Sequence, residues 1–277
     1  MCIRDRSSAA HRPIAMFDSG FGGLTVARAL IDLAPNEDLV YFGDTGRYPY
    51  GPRPHDEVRC YAHQITEWMV EAHDPKVVVV ACNTATAVAL DELQARFDVP
   101  VIGVVEPGLG AVLAVTDTDR VGVIGTVGTI ASGAYQRAAA EVAPHVELTC
   151  AACPGFVEFV ERGETNSEQV RVLAQRLLAP VADAKVDALL LGCTHYPFLA
   201  RTIADVMGRD VVLVSSADET AFAVNSALAT SGLEADGGRT GRHTFVSSGD
   251  IETFARLGRR LLGPELGTVI AHRWDAA

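Results

Sequence analysis

Lysine is almost missing from this sequence: Lys76 and Lys185 are the only two among 277 residues. Each opens an apolar run, so at ~3.3 Å per residue it lies roughly 20 Å or more from the run's far end. Chemistry that needs a lysine Schiff base, as pyridoxal enzymes do, therefore has almost no candidate. No GxGxxG opens a first strand, which removes the usual argument for a nicotinamide cofactor. Long hydrophobic runs are also missing. The longest, around Val77 to Cys82, is far short of the roughly 18 to 20 residues that cross a bilayer. Positive charge is in deficit, with a formal net charge of -12, which disfavours nucleic acid and anionic lipid surfaces as general partners. The same charge repels an acidic ligand at long range, so a bound carboxylate would need local donors such as N–H groups at helix starts. Six cysteines are too few and too scattered for a disulfide scaffold, and no secretory signal precedes them, which points to the cytoplasm.

What is present is the pattern of a folded α/β chain, 48% hydrophobic and 21% charged. The opening MCIRDRSSAAHR lacks hydrophobic periodicity, and residues 1–12 are expected to be an unstructured leader or an artefact. From Pro13 short apolar runs alternate with amphipathic stretches: IAMF, TVARALIDLA, DLVYFGD, VVVVAC, TATAVALDELQARF and PVIGVV. The pattern restarts with RVGVIGT and proceeds through ELTCAAC, VRVLAQRLLAPVAD and DALLLGC to DVVLV, a second series of βα units beside the first. HTFVSSGD and IETFARLGRRLLG then supply one more βα pair. The expected fold is α/β, with two similar Rossmann-like or flavodoxin-like lobes of mainly parallel strands and the active site in the cleft between them. The expected boundaries are 13–104 plus 216–277 for the first lobe and 105–215 for the second.

The halves look like degenerate copies. Each opens with a strand running into a Gly and Ser/Thr turn, and each reaches a buried strand ending in cysteine. Asp18 precedes Cys82 by 64 residues and Thr126 precedes Cys193 by 67. Ligands of open parallel sheets bind outside the carboxyl ends of the strands, where both cysteines fall. Cys82 is followed by Asn83 and Thr84, and Cys193 by Thr194 and His195. These small polar residues either cap the next helix or bind an anion, while a single such cysteine would read as a buried hydrophobe. Two, matched across the halves, suggest a pair of acid–base groups flanking one carbon. One thiolate takes a proton while the opposite thiol delivers one, which inverts configuration without a cofactor. Asp18 either serves Cys82 or caps the helix after it. His195 either tunes Cys193 or is structural, and Glu161 either orients His195 or is solvated. Cys150 and Cys153 form a CxxC without a second ligand pair, so no metal site is expected. Cys60 sits in a helical pattern, where packing suffices.

With those residues in place, FDSGFGGLTV, FGDTGRYPYG, ACNTATA, IGVVEP, CPGFVEFVE and GCTHYPFL occur in one order. From Pro13 to about Gly263 the chain resembles the glutamate racemases, within the aspartate/glutamate racemase superfamily. The resemblance implies two facing lobes and interconversion of L- and D-glutamate by the Cys82 and Cys193 thiols. It implies auxiliary acid–base roles for Asp18, Glu161 and His195, and substrate contacts at Asp18, Ser19, Tyr50, Gly51, Asn83, Thr84, Thr194 and His195. It also implies D-glutamate supply for peptidoglycan, hence cell-wall biogenesis and cell shape, and a homodimer in many members, with no cofactor or metal. The match departs at VSSADETA, where the family usually begins with Asp at the position of Ser215 or Ser216. The nearest alternatives are a superfamily member acting on aspartate or hydantoins, and a member that restrains DNA gyrase without turnover.

Overall fold

The computed structural model describes residues 9–274. Residues 1–8, with Cys2, lie outside the described residues. Residues 9–12 differ from the expected leader: the Ala10 carbonyl accepts from Lys76 Nζ at 2.8 Å and Arg12 Nε meets Asp74 at 3.1 Å.

Two sheets form, and every strand pairing in them is parallel. The first comprises β1 (Ile14–Asp18), β2 (Leu39–Gly43), β3 (Val77–Val80), β4 (Val101–Gly103), β9 (His243–Ser247) and β10 (Val269–Ala271), in the order β10-β9-β2-β1-β3-β4. The second comprises β5 (Arg120–Gly125), β6 (Glu147–Ala152), β7 (Ala188–Gly192) and β8 (Val212–Ser215), in the order β6-β5-β7-β8. The order β2-β1-β3-β4 in one sheet and β6-β5-β7-β8 in the other is the same path traced twice. The first sheet adds β9 and β10 beyond β2. β10 was not anticipated from the sequence: it is three residues long, and Ile270 within it is half exposed, too short and too wet to give a strand signal.

The central strands are buried on both faces, which explains why IAMFD and VVVV read as continuous apolar runs rather than alternating ones. Side chains still alternate across the sheet: Ile14 and Met16 join a core that extends through both lobes, and Ala15 and Phe17 join one confined to the first. Helix α1 (Leu24–Leu33) lies against α10 (Ala217–Ser231), which returns from β8 and so ties the end of the second sheet to the first lobe.

Lys76 marks the amino end of β3. Only 3% exposed, it pairs with the buried Glu37 carboxylate, and its remaining protons go to the carbonyls of Ala10 and Leu233, each at 2.8 Å. Glu37 also accepts from the Ala235 N–H at 2.8 Å. The pair therefore joins four segments of the first lobe at the sheet edge opposite the cysteines. Removing one partner strands a buried charge. Lys76→Met should lower unfolding stability by about 3–5 kcal/mol in urea titrations, and adding Glu37→Gln should recover part of that loss. Equal stability of Lys76→Met and wild type would show that the pair contributes nothing.

Candidate active site

In both sheets the chain leaves its first strand to one side and returns on the other. β1 lies between β2 and β3, and β5 lies between β6 and β7. A crevice opens at the carboxyl edge wherever the strand order reverses in this way. Asp18 ends β1, and Ala81 carries β3 into Cys82. In the second lobe Thr126 follows β5 and Cys193 follows β7. The two crevices face one another and share one cavity of about 80 Å³, lined by Asp18, Ser19, Tyr50, Gly51, Cys82, Asn83 and Thr84 from the first lobe and by Cys193, Thr194 and His195 from the second. A single water needs about 10–15 Å³ on such a measure, so the space suits one small molecule rather than a nucleotide. Among the described residues no Lys or Arg lines it.

Glycines make the close approach possible. A Cβ on Gly22 would meet the Thr194 hydroxyl at 2.5 Å and the His195 ring at 2.6 Å, and one on Gly51 would meet Thr126 at 2.7 Å. Direct bonds cross the cleft as well. The Gly128 N–H donates to the Gly51 carbonyl at 2.8 Å, and His55 Nε2 lies 3.0 Å from the Gly128 carbonyl. The Thr84 hydroxyl lies 3.0 Å from that of Thr126 and 3.1 Å from that of Thr129.

Both thiols, Asp18 and His195 are buried. Burial pushes the Cys82 thiol up to about 12, and the Asp18 charge adds to the rise against hydrogen bonds from the Ala85 N–H and Ser19. Cys82 is the N-cap of α3 (Asn83–Arg96), yet desolvation outweighs the helix dipole. Burial raises Cys193 further, opposed by the His195 and Tyr196 N–H groups. It also raises Asp18, although the N–H groups of Gly20, Gly23 and Ser19 pull the other way. Asp18 Oδ2 accepts from Gly20 at 3.0 Å, and its Oδ1 has no partner. His195 is pushed down to about 4 by burial, so its imidazole is neutral at pH 7. Its Nδ1 lies 3.9 Å from Cys193 Sγ and its Nε2 lies 3.9 Å from Glu161 Oε1. The ring is held between Phe21, edge-on at 4.9 Å, and Tyr48 at 6.0 Å.

Glu161 does not line the cavity. It lies behind His195 on α7 (Phe156–Arg162), and burial raises its carboxyl. Tyr50 lines the cavity, and its hydroxyl donates to Asp44. Sequence reasoning did not single out Tyr48, Glu158 or Tyr196, and it weighed Cys153 only as half of a CxxC, yet all four line the cavity. Each falls inside a motif string that was recognised as a whole, so the signal was present without residue-level resolution. The CxxC pair is divided by strand alternation: Cys153 belongs to the core that runs through both lobes, and Cys150 packs against the core on the opposite face of the second sheet. Among the described residues no cluster of three His, Cys, Asp or Glu is placed to hold a metal.

Comparison with known proteins bears on the family. The family model described as Asp/Glu/Hydantoin racemase matches residues 24–224. A glutamate racemase of Acidothermus cellulolyticus is 51% identical over 258 residues, covering 93% of this chain and 97% of that protein. The crystal structure of a glutamate racemase isoform from Bacillus anthracis superposes with a TM-score of 0.89 at 38% identity, covering 96% of this chain and 98% of that one. A glutamate racemase of Francisella tularensis, solved in complex with D-glutamate, gives a TM-score of 0.89 at 32% identity over 97% of this chain and all of its own. On sequence and on fold alike, this chain belongs to the Asp/Glu/hydantoin racemase family.

Proposed function

We propose that this chain is a cofactor-independent glutamate racemase in which Cys82 and Cys193 exchange the α-proton of the substrate. The observation that carries this reading is the placement of two thiols on facing strand ends, one from each lobe, around a cavity sized for one small molecule. The relatives named glutamate racemase, and the one solved with D-glutamate, support glutamate as the substrate.

The proton inventory follows from the dehydration. Without substrate both thiols are protonated at neutral pH, and a thiolate must be made before the α-carbon can react. On the first side Asp18 is the acceptor for the Cys82 proton, since its raised affinity narrows the gap to the thiol. On the second side His195 Nδ1 accepts from Cys193, and Glu161 stabilises the resulting imidazolium. The substrate ammonium favours either anion once it enters. In turnover one thiolate removes the α-proton as the C–H bond breaks, and the electron pair stays on carbon. The opposite thiol then forms a new C–H bond on the other face and becomes the thiolate. Nothing is oxidised or reduced, and the enzyme is left ready for the reverse direction.

Hydroxyls of Ser19, Thr84 and Thr194 and the backbone N–H at Gly51 hold the two carboxylates without a fixed cation, and Asn83 completes the polar lining around the substrate. D-glutamate made this way supplies peptidoglycan synthesis in the cytoplasm, and a homodimer is the assembly proposed. Among the described residues no helix is long and apolar enough to cross a membrane.

Incubation with L-glutamate in deuterium oxide should yield D-glutamate carrying deuterium at the α-carbon, read by proton NMR and chiral chromatography. Cys82→Ser and Cys193→Ser should each lower the rate by about a thousandfold or more. Wild-type protein that folds but forms no D-glutamate would overturn the reading. In the free protein at pH 7, iodoacetamide should label the exposed Cys60 before Cys82 or Cys193, which peptide mass spectrometry resolves. Stability should also follow the buried groups. His195 takes up a proton more readily unfolded than folded, so its contribution is complete above about pH 6.5 and is lost as the pH falls through about 4. The Cys82 contribution is complete below about pH 9 and is lost as the pH rises through about 12. Urea midpoints across pH should show both limbs, and His195→Gln should flatten the acid one.

A further inference from the structure

Asn83 is a buried polar side chain of the cavity that belongs to the first lobe and bonds to the second. Its amide nitrogen donates to the Tyr135 hydroxyl at 2.9 Å, while its Oδ1 is buried with no hydrogen-bond partner among the described residues. Tyr135 does not line the cavity. It belongs to α6 (Ala134–Val142) of the second lobe, is 1% exposed and packs in the core on that side of the second sheet. Its oxygen lies close to the end of β7, where a Cβ on Gly192, the residue before Cys193, would come within 3.2 Å of it. Burial keeps this phenol protonated, and negative charge on Cys193 adds to that. The hydroxyl is therefore a fixed neutral group beneath the site, reaching from the second lobe to the first.

A buried amide oxygen with no acceptor role in the protein is costly unless a ligand supplies a donor. In a free amino acid the strong donor is the α-ammonium. Carboxylates only accept, and they would need the amide's other end. Building on the reading of the site as a glutamate racemase, we propose that Tyr135 is a positioning residue: its hydroxyl holds the Asn83 amide nitrogen and so turns the Asn83 carbonyl oxygen toward the ammonium group of the substrate. Tyr135 touches neither substrate nor thiols and acts only through Asn83. Because the two residues belong to opposite lobes, the acceptor is oriented only while the lobes are closed.

The test compares two ligands that differ in the ammonium alone. KM for D-glutamate and the inhibition constant of glutarate, which has both carboxylates and no amine, are measured for wild type and Tyr135→Phe. Loss of the hydroxyl should raise KM for glutamate about tenfold, leave kcat within about threefold, and leave glutarate inhibition within about twofold of wild type. Asn83→Ala should show the same glutamate-specific loss, and Tyr135→Phe should add nothing further in that background. Equal weakening of glutamate and glutarate would mean that Asn83 presents its N–H to a carboxylate, and would overturn the assignment. An unchanged KM in a folded Tyr135→Phe protein would overturn it too. If Tyr135→Phe does not fold by circular dichroism, Asn83→Ala alone decides between the same two patterns. Wild type that neither racemises glutamate nor is inhibited by glutarate would instead remove the glutamate reading, and this inference with it.

Discussion

Excluding water from two thiols, a carboxyl and an imidazole in one small space governs the rest of this structure. Dispersed at the surface, these groups would titrate near their ordinary values. Enclosed together, Cys82, Cys193 and Asp18 all move toward the protonated form, and His195 also moves toward neutrality by losing its proton. The fold itself thus favours the least charge on each of these four groups. Dehydration is achieved by lobe contact, since the cavity walls come from both sheets and the bonds around Gly51, Thr84 and Gly128 cross between them. Closing the cleft and setting the proton affinities are one event, and a zwitterionic ligand that carries its own cation is what can shift the balance back.

The repeated strand order gives the two half-sites the same scaffold but not the same chemistry. β1 ends in a carboxylate, whereas the corresponding position after β5 is Thr126, whose hydroxyl caps the following turn by accepting from the Thr129 N–H at 3.2 Å. The second half instead has His195 on the turn after β7 beside its thiol, with Glu161 of α7 behind the ring. A proton exchange that runs in both directions needs two bases of comparable strength, not two identical surroundings. In the proposed two-thiol exchange, a carboxylate beside one thiol and an imidazole backed by a carboxylate beside the other would meet that need by different means.

Much of this was legible in the sequence, for identifiable reasons. Strands buried on both faces leave unbroken apolar runs, so β1, β3, β5 and β7 stood out, and a parallel sheet must place ligands at their carboxyl ends. Cys82, Cys193, Asp18 and His195 were visible because each sits at such an end or within three residues of it. Contacts made across the cleft were not legible. Nothing near position 135 signals that its hydroxyl meets Asn83, 52 residues away in the other lobe. Glu161 could be guessed from its motif, but whether it faces solvent or His195 depends on how α7 packs, which no local pattern encodes. Nothing local to residues 9–12 signals their contacts, because Lys76, which donates to the Ala10 carbonyl, lies far along the chain.

The two extra strands of the first lobe have their clearest consequence at Asp44, just past the end of β2. This fully buried carboxylate accepts four side-chain donors: Tyr50 and Arg47 (2.7 Å) on one oxygen, Ser248 (2.6 Å) and Trp274 (3.0 Å) on the other. Four donors match the lone-pair capacity of a carboxylate, which makes its burial tolerable. Ser248 follows β9 and Trp274 follows β10, so both are delivered to Asp44 by strands that the second lobe lacks. Trp274 also stacks beneath the Arg47 guanidinium, 4.3 Å from its ring centroid, which fixes the same turn from outside. The loop from Asp44 to Gly51 is thereby anchored to its own lobe from several directions. Its cross-cleft bond from Gly128 to the Gly51 carbonyl then ends on a rigid wall, and opening the cleft for a substrate must break that bond rather than bend the loop that carries it.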